Sequence, residues 1–285
     1  MIEKVNPSHP DKVADRIAGA IVDLAYKKNE RPKIAVEVLI GHGNCYIITE
    51  TSEKIDRKDI ESIVERINGS KLKVSYVEVP QDEHLAKNQA DEMVKCGDNG
   101  IFKGVPTDYD EVLLSKVVRA SYEKYPTDGK FIYDGEFNKF IACQSNVKSD
   151  DWLKWLSKSE LLPKETQCVI NPLGDWSGGV NVDTGATNRK LGSDMGRAVT
   201  GGGLHGKDLS KADVSVNIMC FILAQSLGKE VDAFCAIGDD EISFYCRDKV
   251  VNVQTTTSYA DVVKHAKEYV DHIGGFEKLA EWGLV

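Results

Sequence analysis

A repeated order of secondary-structure patterns constrains the fold of this chain most strongly. Apolar residues recur at helical spacing over 10–28, and two strand patterns follow at 33–40 and 45–50, separated by the tight turn GHGN. A helical pattern at 57–68 and a strand pattern at 72–79 complete a unit of the order α-β-β-α-β. A sheet of this kind has one face covered by its own helices, so several units must pack together to form a core.

The same order returns twice further along the chain. The second unit starts with a helical pattern at 110–125, and its first strand opens at residue 130. The third unit starts with a helical pattern at 211–227, and its first strand opens at residue 231. The repeat predicts an α+β fold of three α-β-β-α-β units.

The third unit ends differently from the other two. A helical pattern covers 258–273, and the remaining segment, 274–285, is predicted as a helix or a tail because it contains no closing strand pattern. We expect the units to exchange segments. We place the unit boundaries at 1–100 for the first repeat with its connector, 101–172 for the second repeat, and 173–285 for a Gly-rich connector with the third repeat.

Two long connectors, 80–109 and 171–210, separate the units. The second contains more of the candidate functional residues. Ten of the chain's 24 glycines lie between Gly174 and Gly206. A loop of this length is usually either a functional segment or disordered. Low-complexity repetition is absent, so we interpret the second connector as a functional loop.

Acidic and basic residues alternate along the second connector. Glycine lets backbone N–H groups approach oxyanions closely, and carboxylates bind Mg²⁺ together with substrate phosphates. A solvated basic loop is the simpler interpretation, but the mixture of positive and negative side chains favours binding of a polyphosphate with a metal ion. The charged residues are Asp183, Arg189, Lys190, Asp194, Arg197, Lys207, Asp208, Lys211 and Asp213.

The sequence Ser8-His9-Pro10-Asp11-Lys12 opens the first helix. Ser8 is predicted as the N-cap, with Asp11 in a capping-box position. Capping alone does not explain His9 and Lys12, which are unfavourable beside a positive helix start. We therefore expect His9 and Lys12 to face an anion such as a phosphate.

Glu37 lies inside an apolar strand pattern, and its side chain shares a sheet face with Glu50. If the hairpin turns at GHGN, each residue pairs with the one whose number brings the sum to 85. Ala35 then pairs with Glu50 and Glu37 with Ile48, so the two acids point to the same face. A solvated face would make both carboxylates ordinary surface groups. A covered face would require cationic partners for them. The spacing alone leaves both alternatives open.

Composition excludes some classes of protein. A net charge of −9 argues against a general nucleic-acid binder, and we find no apolar run long enough for a membrane span. The seven cysteines contain no CxxC pair and are odd in number, which argues against a zinc site and a full disulfide framework. We expect a cytoplasmic protein with no membrane partner.

The motifs together resemble those of the S-adenosylmethionine synthetase (methionine adenosyltransferase) family. They occur in family order over about residues 3–240, and several are long and jointly specific. They are HPDK at 9–12, the acids Glu37 and Glu50, GDNG at 97–100, DGK at 128–130, INPLG at 170–174, DTGATNRK at 183–190, GGGLHGKDLSKAD at 201–213 and AIG at 236–238.

The resemblance implies three similar domains about a pseudo-threefold axis. It also implies attack of the methionine sulfur on C5′ of ATP, with water then cleaving the triphosphate to phosphate and diphosphate. Two Mg²⁺ ions and K⁺ would be the cofactors. Active sites would lie between the subunits of a dimer at least, and a lid would correspond to about 81–97. The chain is shorter than typical members of that family.

The same resemblance assigns roles to individual residues. The catalytic residues would be His9, Lys130, Arg189 and Lys207. The ATP-binding residues would be His9, Asp98, Asp128, Lys130, Trp176, Asp183, Arg189, Lys190, Lys207 and Ile237. The methionine-binding residues would be Glu50, Gln81, Asp183 and Lys211. Asp11 and Asp213 would bind Mg²⁺, and Glu37 would bind K⁺.

Two other functions remain as alternatives. A binding homologue would hold ATP or methionine without turnover, but it would be expected to lose its charged ligands first. A hydrolase acting on triphosphate alone would not need Glu50 and Gln81.

Overall fold

The first predicted unit is present in the computed structural model, which describes residues 1–90, 94–200, 202–247 and 252–285. The hairpin has the predicted register, with Ala35 opposite Glu50 and Glu37 opposite Ile48. Alternate residues of both strands point into the core, as the period of two requires. The elements are β1 (Ile2–Val5), α1 (Pro10–Lys28), β2 (Ile34–Gly41), β3 (Asn44–Thr51), α2 (Arg57–Asn68) and β4 (Lys73–Val79).

The second unit repeats this order around an aromatic core. A capping box between Asp108 and Glu111 starts its first helix. Trp152 is fully buried and stacks on Phe140 with ring centroids 6.0 Å apart. The elements are α3 (Glu83–Ala90), β5 (Gly100–Gly104), α4 (Tyr109–Lys124), β6 (Gly129–Asp134), β7 (Lys139–Gln144), α5 (Ser149–Ser159) and β8 (Gln167–Ile170).

The third unit departs from the order of the other two. A third strand precedes the helix Tyr259–Ile273, and Ser258 both ends this strand and caps the helix. The strand was missed because its sequence, NVQTTTS, is mostly polar. The elements are β9 (Thr184–Ala186), α6 (Leu191–Met195), a 3-10 turn (Gly196–Ala198), α7 (Ala212–Leu227), β10 (Val231–Cys235), β11 (Glu241–Arg247), β12 (Asn252–Ser258), α8 (Tyr259–Ile273) and α9 (Phe276–Trp282).

The described residues form three four-stranded sheets, and each sheet receives one strand from a distant part of the chain. The strand orders are β4-β3-β2-β9, β8-β7-β6-β1 and β12-β11-β10-β5. The sequence predicted none of the inserted strands β1, β5 and β9, because three to five residues are too few to show a period. The α+β class with repeated sheets is confirmed, whereas the unit boundaries stay a prediction.

Helices cover one face of the first sheet and leave the opposite face open. The open face carries Glu37 and Glu50 together with Leu39, Tyr46 and Ile48. These three apolar side chains are each about half exposed, at 50–52%. In the single chain both carboxylates are therefore exposed, but the apolar patch beside them is typical of a surface that is covered on association. Within the described ranges, no helix is long and apolar enough to cross a bilayer.

Strand β9 lies directly against the start of α1. A Cβ atom added at Gly185 would stand 2.1 Å from the carbonyl carbon of Pro10, too close for any side chain. The contact places the connector motif DTGATNRK against the motif HPDK. Glycine at this position is therefore a packing requirement of the site.

We expect Gly185→Ala to lower the free energy of unfolding by about 1–3 kcal/mol, because the added methyl forces β9 away from α1. Gly192→Ala is the matched control, since the nearest atom to its added Cβ is the Glu3 Oε1 at 3.5 Å. Urea unfolding measures both variants. Equal stability of the two variants would contradict this packing argument.

Candidate active site

His9, rather than the predicted Ser8, is the N-cap of α1. Its Nδ1 accepts the backbone N–H of Asp11 at 3.2 Å, while the Ser8 hydroxyl donates to the Pro126 carbonyl at 3.1 Å. An Nδ1 that accepts leaves the ring proton on Nε2. Burial, assisted by the charge of Lys190, lowers the pKa of His9 to about 4. His9 is thus a neutral ring that can donate through Nε2.

The Asp11 carboxylate is buried and collects three contacts from the second connector. Its Oδ2 is 2.5 Å from the Lys190 Nζ, and its Oδ1 accepts the backbone N–H of Ala186 at 2.9 Å. The Arg189 guanidinium lies 3.6 Å from the same Oδ1. The fold therefore brings the predicted residues Asp11, Arg189 and Lys190 together.

Asp128 and Trp176 form a second wall beside this group. The Asp128 carboxylate accepts the backbone N–H of Gly179 at 3.1 Å. Burial raises the pKa of Asp128 to about 6. A Cβ added at Gly178 would meet both the Trp176 ring at 2.6 Å and an Asp128 oxygen at 2.8 Å, so the two side chains flank one glycine. The ring of Trp176 is 38% exposed, which leaves part of its surface open.

Lys130 and Asp183 complete the group through their charges. The Lys130 Nζ is 2.9 Å from a Glu3 oxygen, and its charge also acts on His9. Asp183 acts electrostatically on both His9 and Asp128. We call this group the Asp11 cluster; it comprises His9, Asp11, Asp128, Lys130, Trp176, Asp183, Arg189 and Lys190.

A second group forms around Lys207. The Lys207 Nζ is 2.5 Å from the Asp213 Oδ2. Asp98 shares a hydrogen bond with Asp213, and burial together with the Asp213 charge raises the pKa of Asp98. Ile237 lies beside this pair, because its backbone N–H donates to the Asn99 side chain at 2.5 Å.

Glu50 belongs with this second group through strand pairing. Lys207 forms a β-bridge to Ala35, and Ala35 pairs with Glu50. Glu50 in turn pairs with Val79, two residues before Gln81. Residues paired across strands lie on one face, so Lys207 and Glu50 stand about 10 Å apart, two strand spacings. We call Glu50, Asp98, Lys207, Asp213 and Ile237 the Lys207 cluster.

The two clusters lie at opposite ends of the β2 edge. Ala186 in β9 pairs with Leu39, whereas Lys207 pairs with Ala35. Four residues at about 3.4 Å each separate these positions by about 14 Å. Glu37 lies between them, and its carboxylate accepts the hydroxyl of Thr187. One chain thus contains both groups of predicted residues but holds them apart.

Lys12 faces buried carboxylates rather than a bound anion such as a phosphate, so that expectation was wrong. Its side chain is 1% exposed, with its Nζ 2.7 Å from Asp194 and 3.3 Å from Asp15. His205 lies 3.1 Å from the other Asp194 oxygen. Ligand atoms of Asp15, Asp194 and His205 fall within 4.8 Å of one another, as in a metal site. The Lys12 ammonium supplies the positive charge that these acids need.

This buried network also joins the two connector motifs. Asp15 accepts the backbone N–H of Asn188 at 2.7 Å, and the Asn188 side chain bonds to both backbone groups of His205 at 2.9 and 3.1 Å. Burial tends to raise the pKa of Asp194, but Lys12 and His205 more than offset this and hold it at about 2. No sequence pattern indicated this network, because its members are distant in the chain.

Other connector charges also have structural partners. The Asp208 carboxylate accepts the backbone N–H groups of Ile34 and Ser210. Arg197 lies 2.9 Å from the Asp108 capping carboxylate. Lys211 occupies the N-cap position of α7. The predicted lid, about 81–97, includes residues 91–93, which lie outside the described ranges.

The carboxylates of the two clusters fit hard cations. Asp11 and Asp213 each already attract a lysine, and Asp98 adds a second carboxylate beside Asp213. Such oxygen donors bind Mg²⁺ when substrate phosphates complete its coordination. Glu37 offers one carboxylate with the Thr187 hydroxyl, so the K⁺ site stays a prediction.

The fold and these clusters define an α+β protein with three four-stranded sheets and a Gly-rich seam of paired carboxylates and lysines. A family model described as the N-terminal domain of S-adenosylmethionine synthetase matches residues 1–91. The chain is 29% identical to the S-adenosylmethionine synthase of Mesoplasma florum, over 79% of this chain and 74% of that protein. It is 26% identical to the synthase of Helicobacter pylori, over 91% of this chain and 82% of that protein.

A solved structure has the same fold. It is described as an unusual S-adenosylmethionine synthetase from Campylobacter jejuni, with a TM-score of 0.71 and 20% identity, over 100% of this chain and 94% of that one. Residues 1–91 thus match the N-terminal domain of this family, and most of the chain is similar to S-adenosylmethionine synthases, although it is shorter than the relatives that it matches.

We expect Lys12→Met to lower the free energy of unfolding by about 3–5 kcal/mol, because it leaves Asp194 buried without its counter-ion. Lys278→Met is the matched control: Lys278 is exposed and pairs with Glu281 at the surface, so its loss should cost less than about 1 kcal/mol. Chemical denaturation of both variants measures the difference. A small effect at Lys12 would mean that the network contributes little.

Proposed function

We propose that this chain is an active S-adenosylmethionine synthetase. It would combine ATP, L-methionine and water to give S-adenosylmethionine, phosphate and diphosphate. The observation that supports this proposal most is that one fold contains both charged clusters. Chains that only bind a nucleotide have no need for paired carboxylates and lysines at both ends of the β2 edge.

The nucleophile in this reaction needs no base. A thioether sulfur has no proton to lose, so the demand falls on alignment with C5′ and on stabilising the departing triphosphate. His9 would donate from Nε2 to the leaving oxygen, since its Nδ1 already accepts from the Asp11 backbone. Lys130, Arg189 and Lys190 would neutralise the growing negative charge on that side.

Asp11 and Asp213 are the residues that would hold Mg²⁺ ions, which when bound neutralise the triphosphate charge. Asp128, Trp176 and Asp183 would line the nucleotide site from the Asp11 cluster. From the Lys207 cluster, Asp98 and Ile237 would approach the adenosine. Glu50, Gln81, Asp183 and Lys211 would bind methionine, with Glu50 and Gln81 at the ends of neighbouring strands.

We propose further that a complete active site needs two chains. The two positions at which these connector segments pair with β2, Leu39 and Ala35, lie about 14 Å apart in one chain, and this separation favours a triphosphate held by clusters of two chains. The open face of the first sheet bears Leu39, Tyr46 and Ile48 near the Lys207 cluster. A symmetric dimer through this face would place the Asp11 cluster of one chain against the Lys207 cluster of the other. The reaction would take place in the cytoplasm.

The test is incubation with ATP and Mg²⁺, with and without methionine and K⁺, following phosphate and the sulfonium product. We expect both products only with methionine, and neither after chelation of the metal. Asp213→Asn should lower turnover by about a hundredfold or more, because it removes a carboxylate that would hold the Mg²⁺ ion neutralising the leaving group. Phosphate release without methionine would favour the triphosphate hydrolase, and no turnover at all would favour the binding homologue.

A mixing experiment tests the shared site. Asp11→Asn and Asp213→Asn change different clusters, so a dimer with one chain of each variant has one doubly altered site and one intact site. Random mixing should therefore restore about a quarter of the wild-type rate. Each variant alone is the control. A mixture no more active than its components would contradict the two-chain site.

A further inference from the structure

Two thiols face each other in the third core, beneath the loop that carries Asp98. Cys96 lies shortly before β5, Cys235 ends β10, and their Sγ atoms are 3.1 Å apart. Both side chains are buried, at 0% and 5% exposure. Both thiols also point at the backbone oxygen of Asp98, at 2.9 Å from Cys96 and 3.5 Å from Cys235. The sulfurs therefore lie directly behind a residue of the Lys207 cluster.

Backbone hydrogen bonds hold the two thiols in this position. The Cys96 N–H donates to the Asp239 carbonyl at 2.9 Å, and the Gly238 N–H donates to the Cys96 carbonyl at 2.8 Å. Cys235 also pairs with Gly100 across the β10–β5 ladder. The sulfurs thus approach each other across a fixed contact between two chain segments.

The two sulfurs differ in exposure. Cys96 is fully buried, whereas Cys235 is 5% exposed at the end of β10. The thiolate is the reactive form of either thiol. A cleft of about 700 Å³ borders the ends of β10 and β5 on the open face of the same sheet, next to Cys235, Asn99 and Ile101.

We propose that Cys96 and Cys235 form a reversible disulfide on exposure to a peroxide, and that this bond displaces the Asp98 loop. One of the two thiols, as its thiolate, attacks a peroxide oxygen, which breaks the O–O bond and, with the proton that this thiol lost, gives a sulfenic acid and one water. The other thiol then attacks the sulfenic sulfur and expels a second water. The two thiols lose two electrons and two protons to the peroxide, and a dithiol reductant returns them.

The disulfide changes the site because the S–S bond is shorter than the present distance between the two sulfurs. The sulfurs must move together by about 1 Å to reach a disulfide length of about 2.05 Å. The bond also removes both S–H donors from the Asp98 carbonyl, which releases the loop that positions the Asp98 side chain against Asp213. Misplacement of about 1 Å near a reacting centre costs up to about a hundredfold in rate.

The test begins with a readout that does not depend on activity. The full-length protein is treated with hydrogen peroxide, alkylated, digested and analysed by mass spectrometry. We expect a cross-linked peptide pair that contains Cys96 and Cys235, the loss of two hydrogen masses from the intact chain, and reversal by dithiothreitol. Absence of this pair while other cysteines are oxidised would overturn the proposal.

The effect on activity rests on the proposed function and is measured second. We expect oxidation to lower turnover by about tenfold to a hundredfold, and dithiothreitol to restore it. Cys96→Ser and Cys235→Ser should resist this loss, whereas the control Cys45→Ser, in the first core, should oxidise like the wild type. Formation of the cross-link without loss of turnover would overturn the link to the Asp98 loop. A chain without turnover before oxidation would contradict the proposed function and leave the cross-link measurable.

If either serine variant fails to fold, Cys96→Ala and Cys235→Ala replace it, since both positions lie among apolar side chains of the third core.

Thermal unfolding of the oxidised and reduced wild type is the last measurement. The oxidised form should melt at the same or a higher temperature, because a cross-link restricts the unfolded chain. A lower melting temperature would show that oxidation damages the fold, and would overturn the proposal of a reversible bond.

Discussion

The buried ammonium of Lys12 is the interaction on which the arrangement of this site depends. It lies between Asp194 and Asp15, and His205 completes the group. Through Asn188 the same network holds two segments of the second connector in place along one edge of β2. Removing one partner from such a group leaves an uncompensated charge in the core, so the network ties the position of the active-site segments to the stability of the fold.

The two charged clusters are separate in one chain, and this separation bears on how a complete site can form. The Asp11 cluster balances three carboxylates against three cationic side chains, whereas the Lys207 cluster has three carboxylates and one lysine. The positions where their segments pair with β2 are about 14 Å apart, and the adjacent sheet face exposes Leu39, Tyr46 and Ile48. Association through that face would bury apolar area and complete the site in one step, which couples assembly to chemistry.

The candidate functional residues lie where short inserted strands join the sheets. Strand β9 places Arg189 and Lys190 against Asp11, and the segment before β5 carries Asp98 and the thiol of Cys96. These insertions connect distant segments by backbone hydrogen bonds. A local change in one of them, such as a new covalent bond between Cys96 and Cys235, is therefore transmitted directly to the cluster beside it.

Local patterns in the sequence determined the repeated helices and strands, the register that pairs Ala35 with Glu50, and the residue types of the site, because period and turn chemistry act over a few residues. Tertiary structure alone decided the inserted strands, the N-cap role of His9 and the burial of Lys12 against Asp194. It also brought Cys96 within 3.1 Å of Cys235. Apart from the local cap of His9 on Asp11, these contacts join residues far apart in the chain, and no local periodicity records which distant partner a side chain will meet.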